Sequence, residues 1–600
     1  MTRQPASSAA RTGRQESAPN AMRSLRQVST LAMAASLLAG CVSLDPNGRS
    51  FEQRVEAARQ EARINAAAED YSQFLIARYA SLINDPDEAA RKYALVARSR
   101  PEDQSLAERA VFSALLANDF PLALTISSRT SAAIIDETSL PRVSLAADAM
   151  ARGNFGDVPE IVDGADSGLF NGLILSSLKA WSLFAEGDHE TAEITLMEGA
   201  GGDAYLNEIV LNLLGLMEVA GKADEAALET YARLDANGTL IATAADSYAR
   251  LLAQQGETGK ALDVLDTYLT DTGHNPLIRT LAEEIRAGET PEIIRLNARQ
   301  GAALSVYVPA AALAAKSNSD LPGVYYSIAL RLDPDLQAAR ALWADSLDAS
   351  GRTDAAIAML QSIPDTSPFY TTATGQLAWA FHRAGRDQDA LDLAHRTLAG
   401  NPDRDLKIQM ADLLRSLDKN DEALSVFSEV IAEDEASNEH DWRLYFARAT
   451  LQERLGRWPQ AEQDLLRARE LNPASPDVLN YLGYSWVDRG VELEQGLDLI
   501  RKALTLRPES GAITDSLGWA HYKLGNYDKA IVYLERAAEL EPGLAEVIDH
   551  LGDAYWMVGR RTEARFQWER AITLLDDDRD IADIQSKFLT GPTAATPKAP

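Results

Sequence analysis

The stretch ITDSLGWAHYKLGNYDKAIVYLERAAELEP, residues 513–542, decides the fold. Gly518, Ala530 and Ala537 are small residues that let two helices approach closely, Gly525 supplies a permissive backbone for the turn between them, and Pro542 stops the second helix. This is a helix hairpin, and its punctuation recurs along the chain. A small residue, usually alanine, stands at Ala89, Ala123, Ala192, Ala227, Ala261, Ala356, Ala390, Ala423, Ala461, Gly496, Ala530 and Ala564, with Val158 and Pro322 in two equivalent places; most steps are 33–35 residues. Four further pairs are each 34 residues apart: Gly518 and Gly552, Ala537 and Ala571, Pro334 and Pro368, Pro508 and Pro542. Gly456, Gly525 and Gly559 each precede the small residue by five positions, where the turn falls. Several series sharing one period predict an all-α array of stacked hairpins, and no composition break between about residues 60 and 575 argues for separate domains.

On these residues the chain resembles tetratricopeptide repeats. Leu517, Gly518, Gly525, Tyr527, Ala530, Leu534, Ala537 and Pro542 fall on that family's signature positions, with His521 in place of the usual tyrosine. The next unit, VIDHLGDAYWMVGRRTEARFQWERAITL (547–574), repeats it with Leu551, Gly552, Tyr555, Ala564, Trp568 and Ala571 but lacks the final proline. The resemblance implies a right-handed solenoid of about fourteen or fifteen hairpins, partly degenerate, each burying its apolar face against its neighbours. Residues 61–320 hold the degenerate repeats and 321–576 the well-formed ones. Between Ala261 and Pro322 there is room for only one shortened or distorted unit, so a kink is expected there. An insertion in VDRGVELEQG (487–496) predicts a bulged turn.

The ends read differently. MRSLRQVSTLAMAASLLAGC (22–41) has a basic start, a short apolar stretch and small residues before its cysteine, which is signal-peptide anatomy. Leu38, Ala39, Gly40 and Cys41 resemble a bacterial lipobox, which implies removal of residues 1–40 and lipidation of Cys41. Met22 also opens a well-formed leader, as an alternative start. Acyl chains contribute about 0.8 kcal/mol per buried methylene, so more than one chain makes a stable anchor. Val42 in place of aspartate points, on the enterobacterial sorting rule, to the outer membrane and a periplasm-facing protein. Residues 41–60 are then a lipidated cysteine and tether, and 577–600 are expected to be a disordered tail.

Composition narrows the function. The net charge is -31, and removing residues 1–40, with five Arg and one Glu, makes it -35. Nucleic-acid binding needs a basic surface and is therefore disfavoured. Cys41 is the only cysteine, so neither an intramolecular disulfide nor a thiolate metal cage can form. None of the seven histidines stands in a ligand-like spacing, and GETGKA (256–261) has two residues where a phosphate loop needs four. The residues thus assign no catalytic group, metal or cofactor, and point to a protein that is not an enzyme.

In the tetratricopeptide family, positions 2, 5, 9 and 12 of each repeat face the concave side. Carried onto the units starting near Pro476, Gly511 and Ala545, they place Asn480, Tyr484, Asp515, Trp519, Tyr522, Glu546, Asp549, Asp553 and Trp556 in a groove. Aromatics beside acids suit an extended peptide or a partner helix; the competing reading is that Trp519 and Trp556 pack against the adjacent hairpin. LNYLGYSWVDRG (479–490) with the two units after it resembles the C-terminal part of lipid-anchored repeat lipoproteins of Gram-negative bacteria. One type is the partner of a periplasmic carboxyl-terminal processing protease that degrades cell-wall endopeptidases. The resemblance implies a membrane-anchored adaptor whose partners are proteins. The alternatives are a structural component of a secretion or exopolysaccharide-export assembly, and an enzyme such as a glycosyltransferase carrying repeats. Oligomeric state is open.

Overall fold

The computed structural model describes residues 51–592, except 132–134, 136, 137, 165–167, 274, 317, 318, 401–403, 439, 576 and 577. Leu38, Ala39, Gly40 and Cys41, with the whole signal and lipobox reading, lie outside the described residues. Among the described residues there are thirty α-helices and no strand, and none of those helices is long and apolar enough to cross a membrane. Twenty-eight of them form fourteen hairpins; Pro276–Arg286 and Asp578–Thr590 stand outside that pairing. The described residues divide into two compact units, one within 51–145 with 163, 164 and 168, the other within 146–162 and 169–592.

Each hairpin is made by the features that announced it. In Gly511–Lys523 and Tyr527–Leu540, a β-carbon on Gly518 would lie 2.7 Å from Leu534, so only glycine allows the helices this close. Ser510 caps the first helix by accepting from the Ile513 N–H at 3.3 Å, and Ser475 does the same for Val478 in the hairpin before. Arg507 and Glu541, each preceding a proline, leave the helical conformation at φ -137° and -129°, which ends both second helices. The turn residue five before the small one is left-handed at Gly456, Gly525 and Gly559, with φ 73°, 76° and 85°. The insertion in 487–496 does bulge its turn: Gly490 and Glu492 are both left-handed, at φ 70° and 45°.

The same turn position holds Lys222 at φ 65° and Asp418 at φ 55°, in conformations that strain an L side chain. Replacing the exposed Lys222 by glycine is expected to stabilise its hairpin by about 0.5–1 kcal/mol, the relieved strain exceeding glycine's entropy cost. A thermal melt at neutral pH would show it, and a lowered midpoint would contradict it.

The second unit is not a simple series in which each hairpin touches only its neighbours, and this corrects the sequence expectation. After Pro276–Arg286, where one distorted unit was expected, Gly288 turns the chain at φ 85° and residues 289–297 run without regular secondary structure. They travel back along earlier hairpins. Gln254 donates to the Pro291 carbonyl at 2.9 Å, Arg250 to that of Glu292 at 3.2 Å, and Arg295 grips Asp224 with two bonds of 2.8 and 2.7 Å. Asn297 then opens the helix Ala298–Ala314 with a reciprocal cap to Gln300. That helix seats on much earlier residues: the Trp181 indole donates to Ser305 at 2.9 Å, and no β-carbon could stand at Gly301 beside the Trp181 ring. From the next helix, Leu321–Leu332, Tyr325 donates to Asn171 at 2.5 Å and Arg331 to Asp148 at 2.9 Å. The hairpins of 204–272 and the helix after them are thus a branch that the strap closes.

Both termini of the described chain are more ordered than expected. Helix Phe51–Leu82 begins inside the proposed tether. Helix Asp578–Thr590 lies where a disordered tail was expected, because Ile581, Ile584 and Phe588 form one apolar stripe at helical spacing, of which Ile584 and Phe588 pack on the last hairpin.

Candidate functional site

The inner face of the last three hairpins is built from their first helices, Pro476–Asp488, Gly511–Lys523 and Ala545–Met557. Consecutive first helices are 34–35 residues apart, so equal repeat positions align along this face. Of the nine residues assigned to it, direct contacts join Tyr484 to Glu546 and Trp519 to Tyr522, and Asp549 and Asp553 share one partner. The Tyr484 hydroxyl donates to Glu546 at 3.1 Å across two hairpins. Burial, with Glu546 and Asp488 near, holds the Tyr484 phenol protonated well above its ordinary range.

The centre of the face is a stack. Trp519 lies on Tyr522, with centroids 4.6 Å apart and planes 5° from parallel, and on His550, at 4.0 Å and 14°. Its indole donates to Asp488 at 3.3 Å, and the Lys523 ammonium stands 5.2 Å above its ring. Trp519 therefore packs against the adjacent hairpin through His550 while remaining half-buried, so the groove reading and the packing reading each describe part of it.

Asp515 is buried and accepts from the His550 ring N–H at 3.0 Å. Burial alone would depress His550, but the Asp515 carboxylate, helped by Glu546 and Asp549, raises it to about 9. The folded value exceeds the unfolded one of about 6.5, so the pair stabilises fully below that pH and its contribution is lost as pH rises through 9. The stability of residues 511–572 should therefore fall between pH 7 and 9.5, and His550→Gln should flatten that fall. Hydrogen exchange across that range checks it, and an equal fall in both chains would contradict it.

The C-terminal third of the face is closed by the chain itself. The Lys587 ammonium, on the terminal helix, donates to Asp549 at 2.7 and 2.8 Å and to Asp553 at 2.9 and 3.0 Å. Asp553 also accepts from the Trp568 indole at 3.0 Å. Burial, reinforced by Asp549, still raises Asp553 to about 6 despite Lys587. Trp556 is covered by Gly591, where no β-carbon would fit, and by the Arg561 and Arg565 guanidinium groups over its ring. Asp549, Asp553 and Trp556 are thus engaged internally, which sequence reasoning missed because Lys587 was assigned to a tail. The open part comprises Asn480, Tyr484, the exposed Ala512, the outer edge of Trp519, and the exposed Glu546. The Asn480 side-chain carbonyl oxygen is buried with no hydrogen-bond donor.

His521, the departure from the repeat signature, is buried against Tyr533 at 5.5 Å, and burial lowers its pKa so that it packs neutral. Among the described residues no group of three or more His, Cys, Asp and Glu could hold a metal ion.

Comparisons with known proteins find repeat families along the chain. Two tetratricopeptide repeat families match, one over residues 516–544, the other over 341–405, 408–476 and 446–511. Over 156 residues the chain is 31% identical to the TPR repeat-containing protein PA4667 of Pseudomonas aeruginosa, a match covering 26% of each chain. The chain thus spans about a quarter of the length of that relative. Similar solved structures include a tetratricopeptide repeat protein from Parabacteroides merdae (15% identity, 42% of this chain, 99% of that one, TM-score 0.36). The APC/C hetero-tetramer Cut9-Hcn1 matches at 15% identity over 87% of this chain and 96% of that one, with TM-score 0.37. Residues 341–405, 408–511 and 516–544 are thus similar to tetratricopeptide repeats, and the fold of the described residues is an all-α array of helix hairpins.

Proposed function

We propose that this chain is a membrane-anchored scaffold of a bacterial cell envelope that binds a polypeptide partner on the inner face of its repeats. The observation that carries this reading is the open surface formed by Tyr484, Glu546, Trp519 and Asn480. It presents rigid aromatic area beside an exposed carboxylate. Such a surface takes an extended segment or a helix that brings basic or amide groups to the acids and apolar groups to the rings.

The anchor in this reading is Cys41, acylated after cleavage behind Leu38-Ala39-Gly40, with the outer membrane as the destination and the periplasm as the compartment. Confinement at a membrane raises the effective concentration of whatever the repeats hold, so tethering is itself the activity. The partner class proposed is a periplasmic carboxyl-terminal processing protease with its cell-wall hydrolase substrates, on the likeness of residues 479–574 to repeat lipoproteins that hold such a protease.

Affinity capture from detergent-solubilised envelopes tests it, with the native chain beside an Ala512→Arg, Glu546→Lys variant whose substitutions are both exposed. Recovery of a processing protease or cell-wall hydrolase by the native chain, at least tenfold reduced by the variant, is the expected result. Equal recovery with both chains would sink the inner face as the binding surface. Absence of acyl chains on Cys41 in the purified protein would sink the anchor.

A further inference from the structure

We infer that the first described helix, Phe51–Leu82, is the interface of a homodimer in which two copies pair antiparallel across a twofold axis near Tyr71 and Ser72. The observation behind it is an apolar face that the described residues leave exposed. Ile64, Tyr71, Leu75, Tyr79, Leu82 and Ile83 fall on one side of the helix or its turn, and all are exposed. Repeat register says which face this is. Counting from Ala89 and from Ala530, Leu75 and Tyr79 correspond to Ser516 and Ala520. In that interior repeat the two positions are 5% and 0% exposed, whereas Leu75 and Tyr79 are 46% and 63% exposed. This side of the first helix has the register and the chemistry of a stacking face. The end of a repeat array normally presents a polar outer face, and this first described repeat presents tyrosines and leucines.

Three features of the helix fit a second copy as the occupant. Its charge is nearly balanced, four Arg against five carboxylates over residues 51–82 in a chain of net -31, so self-repulsion is weakest here. The six residues expose roughly 700 Å² per copy on ordinary side-chain areas, close to the ~800 Å² per partner of a standard interface. The spacing is also self-complementary when reversed. Antiparallel pairing centred at residues 71 and 72 sets Ile64 opposite Tyr79 and Ala68 opposite Leu75, and it separates Arg78 from its own copy, which parallel pairing would juxtapose. At 32 residues the helix is about 48 Å long, enough for both halves of that pairing.

Sedimentation of the full chain carrying Cys41→Ser, which removes the only thiol and any acyl contribution, tests the inference. The expected result is twice the chain mass at micromolar concentration, falling to the single mass in a Leu75→Glu, Tyr79→Glu variant of unchanged helix content. In the same thiol-free background, Ser72→Cys should form an intermolecular disulfide under oxidation and Ser81→Cys, on another face, should not. A single mass for the unsubstituted chain would overturn the dimer and leave the face to residues 1–50, a lipid surface or another protein. A double mass that survives the two glutamates would place the interface elsewhere, and a dimer without the Ser72 bridge would overturn the antiparallel arrangement.

Discussion

Replacing Lys587 by methionine is expected to destabilise the packing of the terminal helix by about 3 kcal/mol at pH 7.5, because removal of one partner from a buried charge cluster leaves the others unpaired. Lys587 faces Asp549 and Asp553 together, and Asp553 is almost wholly buried. Methionine keeps the apolar stem and deletes only the charge, so lost packing does not explain the effect. Asp553 titrates near 6 in the native chain, so at pH 5 it can take up a proton and the penalty should shrink. Adding Asp553→Asn should likewise recover part of the loss. A repeat array need not unfold as one unit, so the readout is local: hydrogen exchange over 545–590, expected to rise by about a hundredfold. Unchanged protection would mean that Lys587 does not hold the helix.

Trp181→Ala should have an effect of similar or larger size, about 3–5 kcal/mol, at a site far along the chain. Trp181 is almost fully buried, donates to Ser305 and packs edge-on to Phe184 at 5.1 Å. Its loss opens a cavity where Gly301 had made room for the ring. Protection should fall in helices Gly168–Ala185 and Ala298–Ala314 together, although 112 residues separate the end of one from the start of the other. Ser305→Ala should give a smaller loss, about 1–3 kcal/mol, since it strands only the indole N–H. If exchange rises around residue 181 alone, the branch is not closed at this contact.

The hairpins were legible because their signals are local and repeated: a small residue every 33–35 positions, a left-handed turn five before it, a proline after it. Lys222 hid one of those turns, since lysine does not announce a positive φ. The strap of 289–297 was illegible for a different reason. It has no period, and its hydrogen bonds join it to side chains and carbonyls 37 to 76 residues away. The candidate groove was legible as a set of aligned positions, because register alone fixes which residues of successive first helices share a face. Its occupancy was not, because the residue that fills one end, Lys587, lies in a segment whose acidic start and Pro/Thr/Ala-rich finish disguise an apolar stripe of three residues.

The central claim is that the inner face of the C-terminal repeats holds a polypeptide. Photo-crosslinking with the captured partner tests it most directly, with a photoreactive residue at Ala512 or Tyr484 on the inner face, or at Val532 or Phe566, large exposed residues of the second helices. Partner adducts from Ala512 and Tyr484, and none from Val532 and Phe566, are the predicted result. Adducts from Val532 or Phe566 with none from the inner positions would contradict it.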